Sequence, residues 1–189
     1  MTRLSFLILV LSLWLSACGS APPAPVDRFY RLQPVMVPAS GKALPVTLQP
    51  FRGESLYAER PVVYAQTANP RQLRQYHYHL WLYPPARIIQ ENLVASMGGA
   101  ILDFSGREKA VAALEGRVIA FERVTDGASS RAVVMLELHL VADGKVLAGR
   151  RYQAEQRAGD ESMDSFVAAM EQALARIYAE FLEDVRQWR

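Results

Sequence analysis

Few residues in this chain of 189 have the types and spacing that chemistry requires. It holds three histidines and one cysteine. His77 and His79 stand two apart in LRQYHYH (Leu73–His79), where Leu73, Gln75, His77 and His79 alternate with Arg74, Tyr76 and Tyr78. Alternation of this kind predicts a half-buried strand. At a spacing of two, both imidazoles would point to one face and share a metal ion. No third ligand lies nearby in sequence, so the pair reads as two polar positions on a strand. His139 alternates with apolar residues and reads as structural. Asp160-Glu161 and Glu183-Asp184 are the paired carboxylates open to acid–base work. The first falls at an expected helix start, where capping and the helix dipole explain an acid. The second falls on a solvated helix face. Arg150-Arg151, next to Tyr152, would suit a phospholipid headgroup or simply a solvated strand end. The sequence has no GxSxG elbow, phosphate loop or HExxH motif. It therefore predicts no catalytic residue, no metal site, no cofactor and no enzyme.

Cys18 is the remaining reactive side chain, and its setting is distinctive. Arg3 is followed by an apolar run from Leu4 to Trp14, then Leu15, Ser16, Ala17 and Cys18. A basic start, a short apolar core and small residues before a cut are the parts of a secretory signal. The run is about half the length of a membrane-spanning helix. Leu-Ser-Ala-Cys at this position resembles the lipobox of bacterial lipoproteins. The resemblance implies removal of residues 1–17, a diacylglycerol on the Cys18 thiol and acylation of its new amino group. Cys18 has no disulfide partner in the chain, and several acyl chains anchor firmly where one does not. Gly19 and Ser20 match the outer-membrane default of such lipoproteins. Residues 19–26 read GSAPPAPV. A Pro-rich segment extends by about 3.1 Å per residue, a reach of roughly 25 Å. Residues 18–26 are therefore the lipidated cysteine with its tether.

The elements that must hold everything else lie in residues 27–189, a one-domain length. The composition is 51% hydrophobic and 21% charged with net charge +2. Acid and base are interspersed, which argues against nucleic acid. Strands are expected at Arg28–Leu32, Leu44–Leu48 and Leu73–His79, and within Leu56–Ala65. Pro61 makes that last segment an edge strand or a short strand after a loop. A helix starts near Pro84, with Ala86, Ile89, Leu93 and Met97 on one stripe and Arg87, Gln90, Glu91 and Asn92 off it; Gly98 and Gly99 stop it. Leu114–Thr125, Arg131–Val141 and Val146–Glu155 form an antiparallel meander, with Asp143-Gly144 as a hairpin turn. A long amphipathic helix begins near Ser162 and runs to the end. The fold expected is α/β: a mixed sheet of about five to seven strands with at least two packed helices.

The order of parts resembles the ABC-type transport auxiliary lipoproteins, the PqiC-like family. The resemblance rests on the lipobox, the Pro-rich tether, the opening FYRL (Phe29–Leu32) and YHYHLWLYPPARIIQENL (Tyr76–Leu93). It implies a three-layer arrangement like the N-terminal part of TolB. It also implies an accessory role beside MCE-domain proteins and inner-membrane ABC components, in an envelope lipid transport system. A second copy of the chain is a further partner to consider. Only Cys18 carries over as a functional residue. Two other functions are weighed: direct binding of a lipid or small apolar ligand through Tyr76–Tyr83 and Val62–Tyr64, and general support of envelope integrity. Outer-membrane attachment facing the periplasm follows from the resemblance and from Gly19.

Overall fold

The computed structural model describes residues 24–37, 43–97 and 102–188. The signal, Cys18, the start of the tether and Gly98-Gly99 lie outside the described residues. In chain order the elements are β1 (Arg28–Tyr30), β2 (Leu44–Leu48), β3 (Arg52–Gly53), a 3-10 turn (Ser55–Ala58), β4 (Pro61–Gln66), β5 (Asn69–Trp81), α1 (Pro85–Met97), β6 (Leu102–Asp103), β7 (Ala112–Thr125), β8 (Ser130–Ala142), β9 (Lys145–Arg157) and α2 (Met163–Trp188). No helix among the described residues is long and apolar enough to cross a membrane.

The expected meander is present as β7, β8 and β9, paired antiparallel. Asp143 and Gly144 both take positive φ, 48° and 72°. A turn of that hand matches the twist of the two strands it joins. β7 is the central strand. One of its edges is taken by β8; along the other lie β2, β3 and β4 in turn, all parallel to it. β5 then pairs antiparallel with β4, β1 parallel with β5, and β6 parallel with β2. The result is a mixed sheet of nine strands. The two beyond the expected range are β3 and β6, two residues each, too short to leave a period-two pattern. β4 is an interior strand, so the edge reading of Leu56–Ala65 gives way to that of a short strand after a loop. Pro61 heads it, where a missing N–H matters least.

β8 shows how the sheet meets the helices. Ala132, Val134, Leu136, Leu138 and Leu140 are buried in one cluster with the apolar faces of both helices. Arg131, Met135, Glu137 and His139, pointing the other way, are half-exposed. Both helices therefore cover the same face. Among the described residues no helical layer covers the opposite face, where Ala65, Val124 and Val133 form a small second cluster. α1 begins where the Pro84 carbonyl accepts the Ile88 amide at 3.0 Å, with Pro85 at the first helical position, where its fixed φ suits. Ser162 caps α2 by accepting the Ser165 amide on Oγ at 3.1 Å. After β1 the chain runs as a strap, Arg31–Val37, across both helices. The Gln33 amide donates to Glu171 Oε1 at 2.6 Å, Asn92 Nδ2 donates to the Gln33 carbonyl at 2.8 Å, and the Val35 amide donates to Ser96 Oγ at 3.0 Å.

Candidate functional site

The two histidines do not share a face. The β4–β5 register runs from Val63↔Gln75 to Pro61↔Leu80, so β5 bulges in between. The extra residues break the alternation. His79 lies against Tyr76, three residues earlier, with ring centroids 5.2 Å apart, and stacks on Tyr30 at 5.7 Å. Its Nδ1 is 2.8 Å from the Tyr30 hydroxyl. Two residues on, Trp81 is fully buried between Phe121 and Phe166 on the helix side. His77, next to Tyr76, is exposed. The metal geometry offered by a regular strand is thus removed. Among the described residues no group of three or more His, Cys, Asp or Glu stands close enough to hold a metal ion.

His79 belongs to a packed polar cluster at the junction of β1, β5 and α2. Tyr76 packs on Tyr64 with centroids 4.3 Å apart, and its hydroxyl accepts from Arg123 Nη1 at 3.0 Å. Arg123 is only 5% exposed. Its Nη2 reaches Glu161 Oε2 at 2.9 Å and the Glu161 carbonyl at 2.7 Å. Burial, then the positive charges of Arg28 and Arg123, hold the His79 imidazole below its ordinary value. The neutral form of the imidazole is thereby favoured, and its ring is held by Tyr30 and Tyr76. This cluster also engages Tyr76 and His79 of the aromatic segment Tyr76–Tyr83. Tyr76 and Tyr64 are committed to each other and to Arg123, and Val62 and Val63 are 0% and 1% exposed.

The other paired residues are tied down as well. Asp160 Oδ1 accepts the Ser162 amide at 2.8 Å, and its bonds to Ser162, followed by that to Ser165, lower its carboxyl. Glu183 is exposed, while Asp184 is only partly so: it accepts the Tyr152 hydroxyl at 2.6 Å and pairs with Arg150 Nε at 3.2 Å. Tyr152 is fully buried. Its hydroxyl is pushed well up by burial and by Asp184. Arg150 lies over the Tyr152 ring at 4.5 Å and also meets Glu180 at 3.3 Å. Arg151 and Arg117 both pair with Glu137, each at 2.6 Å, and their hydrogen bonds, Arg151's first, lower the Glu137 carboxyl. His139 lines an open polar hollow on the uncovered sheet face with Gln49, Glu115 and Arg117. Asn92, placed off the apolar stripe by sequence, is 4% exposed and holds the strap while Tyr178 donates toward its Oδ1 at 3.1 Å. A lone polar residue in a helix pattern gives no sign of such a role. These sites hold the fold together; none assembles a nucleophile with a base.

A nine-stranded mixed sheet backed by two helices is an α/β domain seen in solved structures. Protein XCC0632 from Xanthomonas campestris shares it with a TM-score of 0.70 at 17% identity, over 85% of this chain and 98% of that one. An uncharacterized protein shares it with a TM-score of 0.64 at 18% identity, over 85% of this chain and 99% of that one. Likeness at such identity concerns fold. No curated protein matches the sequence. The family model of the ABC-type transport auxiliary lipoprotein component matches residues 30–181. The chain belongs to this family. The match runs from Tyr30, the last residue of β1, to Phe181 in α2, so it takes in β2 to β9, α1 and most of α2. Membership makes the chain an auxiliary component of ABC-type transport, with partners in a transport complex. It suggests association with a membrane and points away from catalysis.

Proposed function

We propose that this chain is an outer-membrane lipoprotein, facing the periplasm, that serves an MCE/ABC-type lipid transport assembly. The signal, residues 1–17, is removed; Cys18 receives the lipid; residues 18–26 form the tether; residues 27–189 form the docking domain. Its partners are an MCE-domain protein reaching across the periplasm and the inner-membrane transport components. The family match over residues 30–181 carries this reading, and Leu15-Ser16-Ala17-Cys18 supports the anchor. The engaged state of the polar clusters supports an adaptor over an enzyme. The test of the anchor is fractionation of the envelope after labelling with radioactive palmitate. The native chain is expected to carry label and to sediment with the outer membrane. The Cys18→Ser variant is expected to carry none and to leave the membrane. Label-free, soluble native protein would defeat the proposal.

A further inference from the structure

The exposed side of β1 is unlike the rest of the surface. Single exposed apolar residues are ordinary on soluble proteins. Here Val26 is 77% exposed, Phe29 51%, Tyr78 44% and Leu82 41%. The parallel register sets Phe29 beside Leu80, with Tyr78 two residues before and Leu82 two after. Leu82 is bound to β1 by its amide, which donates to the Tyr30 carbonyl at 2.7 Å. Phe29, Tyr78 and Leu82 therefore gather on a single sheet edge, and exposed Val26 lies three residues before Phe29 where the chain enters β1. Three arginines border them. Arg60 lies over the Phe29 ring at 4.9 Å, and Arg28, the first residue of β1, and Arg31, just after it, are exposed, against the acids Asp27 and Glu59. No strand covers β1 on its outer side among the described residues.

The position of this edge in the chain selects its occupant. β1 is the first element after the tether, and Val26 is the tether's last residue. From Cys18 the intervening segment reaches roughly 25 Å when extended. A surface held so close to a bilayer meets it at an effective concentration on the order of millimolar, so weak contacts suffice. Aromatic rings with apolar bodies favour the headgroup region of a membrane, and arginine stems can lie along apolar surface with their charges in water. We propose that the β1 edge, through Val26, Phe29, Tyr78 and Leu82, is a membrane-contact surface resting on the phospholipid headgroups of the leaflet that holds the anchor. This rests on the anchor reading above and adds an orientation to it. The domain lies with β1 against the lipid and β9, at the other side of the sheet, turned away.

Neutron reflectometry on the lipidated full-length product tests it. The protein is reconstituted in a supported bilayer of phosphatidylethanolamine doped with phosphatidylglycerol. The native domain should abut the headgroups with no water gap. Phe29→Ser with Leu82→Ser should open a gap of up to roughly 25 Å, the reach of the tether. Tyr78→Ser should open one as well. Val146→Ser, an equally exposed site in β9 (57%), should open none. A native protein that is bound but stands off as far as the double variant overturns the contact surface and leaves the anchor intact. A native gap that closes only when an MCE-domain protein is added assigns the edge to a protein partner and overturns it too. A lipid layer without bound protein overturns the anchor reading, and the orientation falls with it.

Discussion

Replacing Glu161 with glutamine isolates the electrostatic part of the cluster that joins the sheet to the start of α2. The substitution keeps the shape and an acceptor but removes the charge opposite Arg123. Arg123 is almost wholly buried, while the Glu161 side chain is 33% exposed. Removing one partner of a buried ion pair costs about 3–5 kcal/mol. Here water still reaches Glu161, and the Glu161 carbonyl and Tyr76 hydroxyl still hold the guanidinium. The expected loss is therefore discounted to about 2 kcal/mol. Arg123→Met should cost less than the buried-charge figure, because the carboxylate it leaves behind can turn to solvent. With both substitutions made, the loss should fall short of the sum by about 1 kcal/mol or more, because the pair is coupled. Urea unfolding of the domain from Asp27 onward, followed by circular dichroism, measures all four corners of the cycle. A loss below about 0.5 kcal/mol for Glu161→Gln, or strict additivity, would show that this pair does not hold α2 to the sheet.

Gly149 takes φ +106°, and a Cβ there would stand 2.0 Å from the Leu138 carbonyl oxygen. Gly149→Ala should destabilise the domain by at least about 2 kcal/mol in the same denaturation assay; a neutral result would refute the β9 backbone path. His79 binds its proton less well in the folded than in the unfolded chain, so stability should fall as pH drops from about 6.5 through the lower folded value and level off beneath it. His79→Asn should flatten that slope, and unchanged slopes in the two proteins would count against the burial of the imidazole. Asn92→Leu should cost about 1–3 kcal/mol by leaving the Gln33 carbonyl without its donor and the Tyr178 hydroxyl with only the Ile89 carbonyl at 3.3 Å, measured by thermal melting. Cys18→Ser should abolish membrane attachment while the domain from Asp27 still folds, as judged by fractionation and circular dichroism.

The parts of the fold legible in sequence are those where local pattern and tertiary role agree. β8 alternates in burial from Val134 to Leu140, and its core side is the one that Val134, Leu136, Leu138 and Leu140 define. α2 repeats its apolar residues at three and four, and these meet the sheet. What the sequence hides depends on contacts between distant residues. The bulge in β5 is set by its pairing with β4; periodicity alone assumes a regular strand and puts His77 beside His79. Glu161 looks like an ordinary acid at a helix start, yet its partner Arg123 comes from the meander. Asp184 likewise looks solvated until Tyr152 and Arg150 meet it. β3 and β6 need β7 and β2 to exist as strands at all. Cys18 is the opposite case: its meaning is local, carried by the residues just before it.

The central claim is that this anchored domain works inside a transport assembly. Co-purification of the tagged, lipidated protein from mildly solubilised envelopes, with mass spectrometry of what accompanies it, tests that claim most directly. An MCE-domain protein and inner-membrane ABC components should be recovered with the native chain and be depleted with Cys18→Ser. Recovery of neither with the native chain, at comparable yield of the bait, would contradict it.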